Sequence, residues 1–597
     1  MRKPWLALLC CLPYMLTAQA GIVVGHDGID LSRATIVCNN NEKTVVRTAA
    51  QLLADDVQRV CGTRPNVSNK AKRGMSVVVG TMGQGGVIDK VGRKAGIEGQ
   101  WERFVITTTA NQIVVAGSDA RGTAYGCMAI SEAIGVNPWY WWADIAVEHR
   151  DAVVVKADTI APSPIVKFRG IFINDEDWGL KTWSARNYEK DLRDIGPKTY
   201  EKVCELLLRL KGNMLAPAMH SCTGAFYSHK ESKVAADKYG IMITTSHCEP
   251  LLFNNAAKSE WDKSRDGEWD FSTNRATILR KLDDRVREAS PYENIYTVGM
   301  RGLHDEGMRG NLTPDERVRV LQEAITEERN ILTRYGVGNA PQIFVPYKEA
   351  LDNYERGLQV PDDVTLVWPD DNYGYMKRLS NAAEQQRGGR AGVYYHLSYL
   401  GTPHDYLWLC TTPPALMYEE LRKAFDAGAD RYWLLNVGDI KPMELAIQTF
   451  FAMAADPDRY TLYNINRQQS AWLRTLYGVD CQSLLDDYYR LAWSRKPEFM
   501  GWEIEWDAKE YADIRDTEFS FANYNDAQQR LADYDRISSQ AAQMMAALPE
   551  AKRASFFEMV AYPVMAACQM NRKFLMAQLN HELSAQGKNA EANWAAD

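Results

Sequence analysis

Residues 168–177 read FRGIFINDED, a run of aromatic and β-branched residues that ends in a polar and acidic tail. The same arrangement, an apolar run followed by a polar residue and then a helical stretch, recurs along the chain as far as residue 440. The runs span 168–174, 213–218, 241–247, 294–301, 342–347, 364–370, 392–400 and 431–439. Each has the length of a buried strand.

Strands that alternate with helices predict a parallel sheet. The stretches with helical patterns between the runs are 198–211, 233–239, 274–288, 314–335, 415–427 and 442–454. Eight such units match the size of a closed (β/α)₈ barrel, which leaves no sheet edge exposed. We therefore expect an α/β fold built on a central TIM barrel at 165–456, with an open doubly wound sheet as the alternative.

Further domains are expected on both sides of the barrel, because one hydrophobic core does not grow to 597 residues. Residues 21–160 combine strand-like runs at 76–79 and 113–116 with an amphipathic helix at 44–60, which indicates an N-terminal α/β domain. The aromatic cluster at 139–142 favours a seam between domains over a ligand shelf. The two prolines within 161–164 predict a linker, and 457–597 have the pattern of a C-terminal helical bundle.

Residues 1–20, MRKPWLALLCCLPYMLTAQA, have the basic start, apolar centre and small-residue end of a secretory signal peptide. The apolar centre is too short to span a bilayer. We therefore expect an exported, soluble protein, periplasmic or secreted, that does not insert into a membrane. Lipid anchoring at Cys10 or Cys11 is the weaker alternative, because bulky residues precede both.

The composition narrows the range of partners. A net charge of -8 and a pI near 5.8 provide no basic stripe for phosphates, so nucleic acid is not an expected partner. The 17 Trp and 29 Tyr favour the docking of sugar rings. Of the 11 cysteines, two fall within 1–20 and the other nine have no repeating spacing, so we expect neither a disulfide framework nor a zinc site.

Polar and ionisable side chains follow every predicted strand, and in a parallel barrel these ends meet at one rim, where catalytic groups lie. In chain order they are Asn174, Asp175, Glu176 and Asp177; His220; His247 and Glu249; Arg301, His304, Asp305 and Glu306; Lys348 and Glu349; Asp370, Asp371 and Asn372; His396 and Tyr399; and Asn436 and Asp439. A single Asp at a strand end often caps the next helix. Repelling carboxylates crowded at one mouth destabilise the fold, however, so their repetition indicates a functional site.

Two chemistries could use this rim. Glycoside hydrolysis needs one carboxylic acid that protonates the leaving oxygen and one carboxylate that activates water or attacks the sugar, without a metal. A metal-dependent hydrolase would instead gather a cation between the rim histidines and Asp305 or Asp370. No His-x-His or His-Glu-x-x-His pairing is present and the acids outnumber the histidines, so we favour sugar chemistry without a cofactor. A non-catalytic glycan-binding protein is a further alternative, and the acids at the rim argue against it.

Five motifs together resemble glycoside hydrolase family 115: FRGIFINDEDW (168–178), RGLHDEGM (301–308), PYKE (346–349), WPDDNYG (368–374) and YHLSYLG (395–401). The resemblance runs from the N-terminal domain to the helical region. That family consists of xylan α-1,2-glucuronidases, exo-acting enzymes that release glucuronic acid or its 4-O-methyl ether with inversion, and some relatives act on other uronic acid-capped plant glycans. The resemblance therefore implies an α-glucuronidase whose partner is glucuronoxylan or a related polysaccharide.

The resemblance also implies roles at the rim. Glu349 or Asp370 is expected to activate water, and Asp305 or Asp175 to protonate the leaving oxygen. Arg301 is expected to bind the substrate carboxylate, since a guanidinium matches a planar acceptor, although it could instead clamp neighbouring carboxylates. The residues expected to contact sugar hydroxyls or to hold the acids in place are His247, His396, Asn174, Asn372 and Tyr399.

Family members usually continue into a C-terminal β-sandwich, which helps to build a dimer. The sequence given ends at Asp597 without such a domain. The expectation of a homodimer is weaker for that reason, and so is the expectation of a complete wall around a polymer-binding cleft.

Overall fold

The structure is a computed structural model that describes residues 21–70, 73–402, 404–501 and 515–597. The predicted signal peptide at 1–20 lies outside the described residues. Within the described ranges, no helix is both long and apolar enough to cross a membrane. The nine cysteines after residue 20 are all described, and all of them are unpaired.

Two groups of strands occupy successive parts of the chain. The first group is β1 (Ile22–Asp30), β2 (Thr35–Cys38), β3 (Asn66–Ser68), β4 (Ser76–Thr81), β5 (Phe104–Thr108), β6 (Gln112–Gly117) and β7 (Val154–Ala161). The second is β8 (Phe168–Phe172), β9 (Met214–Ala216), β10 (Met242–Ile243), β11 (Tyr296–Thr297), β12 (Gln342–Phe344), β13 (Thr365–Pro369), β14 (Ala391–His396) and β15 (Tyr432–Asn436).

The helices fall into three sets. Those of the N-terminal region are α1 (Thr44–Cys61), α2 (Gly86–Ala95) and α3 (Ala120–Ala133). Those between and after the strands of the second group are α4 (Leu180–Trp183), α5 (Pro197–Arg209), α6 (Lys230–Lys238), α7 (Lys263–Asp266), α8 (Arg275–Ala289), α9 (Pro314–Arg334), α10 (Glu349–Glu355), α11 (Pro414–Asp426) and α12 (Glu444–Ala455). The C-terminal set is α13 (Asn466–Tyr477), α14 (Gln482–Ser494), α15 (Asp526–Ala547), α16 (Glu550–Phe556), α17 (Tyr562–Ala585) and α18 (Asn589–Ala596).

The N-terminal region is a mixed sheet covered by helices, and its strand order is β1-β7-β5-β6-β4-β2-β3. The pairs β2–β3, β2–β4 and β4–β6 are parallel, whereas β1–β7, β5–β6 and β5–β7 are antiparallel. Helix α1 buries its apolar face, including Val46, Leu53 and Val57, which is the amphipathic pattern expected from the sequence. The strands predicted at 76–79 and 113–116 are confirmed as parts of β4 and β6.

The second group of strands forms a curled parallel sheet with the order β10-β9-β8-β15-β14-β13-β12-β11. The first strand of the group pairs with the last, in the register Phe168 to Tyr432. A doubly wound sheet does not pair its first and last strands, so this order departs from that alternative. Between the sheet ends, Ile243 bridges to Asn294, and the Ile295 N–H donates to the Ile243 carbonyl at 2.9 Å.

All eight predicted strands are present, but each is shorter than its sequence run. The run 241–247, for example, contains only the two-residue strand Met242–Ile243. At the end of β14, the His396 N–H donates to the Asp370 carboxylate at 3.0 Å.

The aromatic cluster at 139–142 lies where the N-terminal region contacts the helices around the curled sheet. The Trp139 Nε1–H donates to Gln448 of α12 at 2.9 Å, and the Trp142 Nε1–H donates to the Lys202 carbonyl of α5 at 3.1 Å. These contacts agree with the interpretation of the cluster as a seam.

A buried charge network joins the same two regions. Glu102, whose side chain is fully buried, accepts from Arg169 of β8 at 2.6 Å and from Arg121 of α3 at 2.8 Å. The Asn213 amide, immediately before β9, donates to the same carboxylate at 2.9 Å. The carboxylate thus balances buried cations from two regions of the chain.

We expect Glu102→Ala to destabilise the protein by about 3–5 kcal/mol, because it leaves the buried Arg169 guanidinium without its counter-charge. The measurement is the urea concentration at the midpoint of unfolding, followed by tryptophan fluorescence. Asp27→Ala is the control, since Asp27 pairs with Lys156 on the surface, and the variant should unfold like the wild type. Equal midpoints for the two variants would contradict the expectation.

Candidate active site

One guanidinium binds two of the predicted catalytic carboxylates. Arg301 follows β11 and is almost fully buried. Its Nε and Nη2 atoms donate to the two oxygens of Glu349 at 2.7 and 2.8 Å, and its Nη1 donates to Asp305 at 2.5 Å. Nη2 also reaches the Asp305 carbonyl at 3.2 Å. The residues after β11 and β12 are therefore brought together as the strand-end argument predicted.

Asp305 is surrounded by cations and donors. The His247 Nε2–H donates to its Oδ1 at 2.8 Å, and Lys348 donates to its Oδ2. Burial opposes ionisation, but the hydrogen bond from His247 and the charges of Arg301 and Lys348 lower the pKa of Asp305 well below its usual range. Asp305 is therefore an anion at any working pH.

His247 is held as a neutral base. Burial lowers the pKa of its imidazole, against the hydrogen bond and charge of Asp305. Because Nε2 carries the proton given to Asp305, Nδ1 is an acceptor, and it has no partner among the described residues. A sugar hydroxyl could donate to it.

Asp370 and His396 form a second group beside the first. The imidazole Nδ1–H of His396 donates to Asp370 Oδ1 at 2.5 Å, and the Asn372 N–H donates to the same oxygen at 3.0 Å. Both side chains are buried. The carboxylate of Asp370 is committed to orienting His396 and the following loop, which suits a supporting role better than the activation of water.

Asp175 lies in a third, more apolar setting after β8. Its Oδ2 accepts from Ser398 at 3.4 Å, while Oδ1 has no hydrogen-bond partner among the described residues and lies 4.0 Å from His220 Nε2. Burial raises the pKa of Asp175 to about 7, against the charge of His220. Asp175 therefore exchanges its proton near neutral pH, as a general acid must.

His220 links Asp175 to its acidic neighbours. Its ring Nδ1 contacts Asp177 at 3.0 Å, and its backbone N–H donates to the side chain of the buried Glu176 at 2.7 Å. Burial opposes the charged imidazole, but the hydrogen bond to Asp177 and the charges of Glu176 and Asp175 raise the pKa of His220 to about 9. His220 also lines a cavity of about 510 Å³ with Asp177 and His304.

The predicted sugar-contacting residues connect these groups. The Tyr347 hydroxyl donates to Asn372 Oδ1 at 2.9 Å, and the Tyr347 ring lies 4.4 Å from that of His247. The ring of Tyr399 lies 5.7 Å from that of His396. Asn174 is placed by its N–H, which donates to the Gly438 carbonyl at 3.1 Å.

Two loops of the site have strained backbones. Lys348 has a φ of 51° and Asn372 a φ of 71°, in the left-handed region that residues with a Cβ rarely adopt. Such conformations persist only where surrounding contacts hold them, and they concentrate at functional sites.

A metal centre is not assembled from these side chains. Within the described ranges, no three His, Cys, Asp or Glu residues are arranged to hold a metal ion. The rim histidines proposed for that alternative instead contact carboxylates in separate pairs, His247 with Asp305 and His396 with Asp370.

Comparisons with known proteins define the class. The model of glycosyl hydrolase family 115 matches residues 161–499. A solved structure described as a novel family GH115 4-O-methyl-α-glucuronidase, BtGH115A, with specificity for decorated arabinogalactans is 39% identical, with a TM-score of 0.88, over 96% of this chain and 76% of that chain. No curated protein sequence matches the chain.

Two more distant structures share the fold alone. CpGH84D has a TM-score of 0.52 at 12% identity, covering 96% of this chain and 91% of its own. A GH138 enzyme targeting pectin rhamnogalacturonan II has a TM-score of 0.54 at 11% identity, covering 94% of this chain and 90% of its own.

The protein is a glycoside hydrolase. The chain belongs to glycoside hydrolase family 115, as the motifs of its strand ends predicted.

Three contributors to the site were given no catalytic or sugar-binding role from the sequence, although Lys348 and His220 were named at the predicted rim. Lys348 bonds Asp305, His220 neighbours Asp175, and Tyr347 spans the two groups. All three lie at strand ends, so their position was a usable signal. The sequence pattern did not identify the partner of each side chain, because that partner lies tens of residues away along the chain.

We expect Arg301→Lys to lower kcat by about 10²-fold, because an ammonium cannot hold Asp305 and Glu349 in a fixed geometry. Steady-state kinetics on an acidic glycoside provide the measurement. Arg309→Lys is the matched control, since Arg309 pairs with Glu306 and Glu268 on the surface nearby. A raised KM with an unchanged kcat would show instead that Arg301 binds the substrate carboxylate itself.

Proposed function

We propose that the protein is an exo-acting α-glucuronidase that releases glucuronic acid or 4-O-methylglucuronic acid from a decorated plant polysaccharide. Family membership and the described activity of the relative at 39% identity support the reaction. The observation that carries the proposal is the cluster of Asp305 and Glu349 with Arg301 and Lys348, which joins carboxylates for hydrolysis to cations suited to an acidic sugar.

The proposed substrates include polysaccharides with backbones other than xylan. The motif resemblance points to α-1,2-linked side chains of xylan, whereas the relative acts on decorated arabinogalactans. Both substrates present a terminal uronic acid, and the site is argued from that shared group.

We also propose that the curled sheet closes into a (β/α)₈ barrel. The pairing of β8 with β15 and the bridge between Ile243 and Asn294 support closure. Closure would direct all eight strand ends toward one mouth, where the candidate residues lie.

Asp175 is the proposed general acid and Glu349 the proposed base. Asp175 has a raised pKa of about 7, so its neutral form is available near neutral pH. Asp305 is held by His247, Arg301 and Lys348, which makes it a weak base. Glu349 is bound by Arg301 alone among the described side chains, so it is the carboxylate proposed to take a proton from water.

Inversion follows from this assignment when the two carboxyl groups are separated by about 6.5–9.5 Å. The proton of Asp175 would pass to the glycosidic oxygen as the bond to the sugar breaks. Water, deprotonated by Glu349, would attack the anomeric carbon from the opposite face.

Lys348 is the proposed partner of the substrate carboxylate. The guanidinium of Arg301 is taken up by Asp305 and Glu349, whereas the Lys348 side chain is 43% exposed. A compact ammonium at the rim can exchange Asp305 for an incoming uronate.

The signal-like residues 1–20 further support export to the periplasm or medium. Cell fractionation checks this part of the proposal. An accumulation of the uncleaved chain in the cytoplasm would contradict it.

Incubation of the protein with glucuronoxylan and with a glucuronidated arabinogalactan should release free uronic acid without added metal, detected by anion-exchange chromatography. Loss of activity with a chelator and its return with one metal would favour a metal-dependent hydrolase. Binding without product from either polymer would favour a glycan-binding protein.

Asp175→Asn should lower turnover of a natural uronosyl oligosaccharide by about 10²–10⁴-fold, because the leaving sugar needs a proton. A 4-nitrophenyl uronide needs no such proton, so its turnover should fall far less. Glu349→Gln is the comparison, and it should slow both substrates alike. Equal losses for Asp175→Asn on both substrates would contradict its role as the acid.

The pH profile provides a second test of the same role. An acid with a pKa of about 7 is protonated below that pH, so wild-type turnover of the oligosaccharide should fall as the pH rises above about 7. The residual activity of Asp175→Asn should lack this decline.

A further inference from the structure

A groove of about 650 Å³ lies between the start of α11 and one face of α14, outside the catalytic cluster. Its lining includes Tyr375, Pro413, Leu416, Asp486 and Trp493. The groove is open on the surface and combines apolar, aromatic and acidic side chains. None of the proposed hydrolytic steps uses these residues.

Two aromatic rings form a platform along this groove. Trp493, in the last turn of α14, is 56% exposed. Its ring centroid lies 6.3 Å from that of Tyr375, and the ring planes are inclined by 58°. A flat aromatic face suits the C–H face of a sugar ring.

The polar lining presents acceptors for hydroxyl groups. Glu419 is exposed and forms no hydrogen bond or ion pair with any described residue. Asp486 accepts one bond from Gln482 at 2.9 Å and keeps acceptor capacity. The cation of the groove, Arg490, is already paired with Asp487 at 3.2 Å and Asp533 at 3.6 Å. The excess of negative charge disfavours uronates and favours a neutral, hydroxyl-rich ligand.

One wall of the groove is linked to the candidate active site through the loop at 371–375. The Asp371 N–H donates to the Tyr375 carbonyl at 2.9 Å, and the Tyr375 N–H donates back to the Asp371 side chain at 3.1 Å. These bonds close a tight loop around Asn372, which belongs to the candidate active site. Helix α11 begins at Pro414, after the loop that leaves β14, so its start lies at the same end of the sheet as the site.

We propose that this groove binds the neutral backbone of the polysaccharide while a uronic acid side chain occupies the catalytic site. The assignment rests on the proposed function for the identity of the side chain. Backbone sugars would stack on Trp493 and Tyr375, and their hydroxyls would donate to Glu419 and Asp486. The groove thereby separates a neutral chain from the cationic site that receives the acid.

The test compares Trp493→Ala with Trp594→Ala, since Trp594 is also exposed, at 66%, on the distant helix α18. Trp493→Ala should raise KM for decorated polymer by about 3- to 10-fold, from the loss of one aromatic contact. Its kinetics on a 4-nitrophenyl uronide, which has no backbone, should match the wild type. Trp493→Phe should recover part of the affinity, and Trp594→Ala should behave like the wild type.

Affinity electrophoresis in gels that contain polysaccharide stripped of its uronic acids tests the groove without turnover. The wild type and Trp594→Ala should be retarded, and Trp493→Ala should migrate faster than both. This readout holds even if no uronic acid is released, so failure of the proposed function and failure of the groove remain distinguishable. Equal retardation of all three proteins, or equal polymer KM values, would overturn the proposal. A change from dimer to monomer in Trp493→Ala, measured by light scattering, would show that a second copy occupies the groove instead.

Discussion

The guanidinium of Arg301, shared between Asp305 and Glu349, is the interaction on which the catalytic rim depends. Two carboxylates at one mouth repel each other, and a single buried cation between them turns that repulsion into attraction. The clamp is itself held: the Trp269 Nε1–H donates to the Arg301 carbonyl at 3.0 Å, and Glu328 accepts from the Gly299 N–H at 2.7 Å. Removing one partner of such a buried group leaves the others uncompensated.

The carboxyl groups of the site differ because their surroundings differ. Asp305 meets a histidine, an arginine and a lysine, and its pKa is driven down. Asp175 is buried, and its burial, with the charge of Glu176 beside it, raises its pKa to about 7 against the charges of His220 and His396. Environments that separate the pKa values of nearby titratable groups are how acid and base roles are assigned on one scaffold. The two aspartates thus differ in proton affinity because of their burial and the charges around them.

The sequence was most informative about the elements and the rim. Eight apolar runs predicted eight parallel strands, and the structure contains a parallel sheet of eight strands at these positions. The runs overshot the strands because they include polar residues of the following loops, such as Asp370, whose side chain bonds His396 of the next strand. Sequence periodicity places a residue on a strand or at its end, but the partner of its side chain depends on tertiary packing. The sequence left open whether Arg301 binds the substrate or neighbouring carboxylates. In the structure it binds Glu349, which lies 48 residues further along the chain.

The distant structural relatives show why the rim matters more than the sheet. Proteins at 11% and 12% identity keep the overall fold, so the fold alone does not specify a substrate. Here the loops at Lys348 and Asn372 have strained backbones, and each is fixed by a charge or hydroxyl contact from a neighbouring strand end. The short loops after neighbouring strands are therefore locked to one another, and the parallel sheet provides the spacing at which their side chains meet.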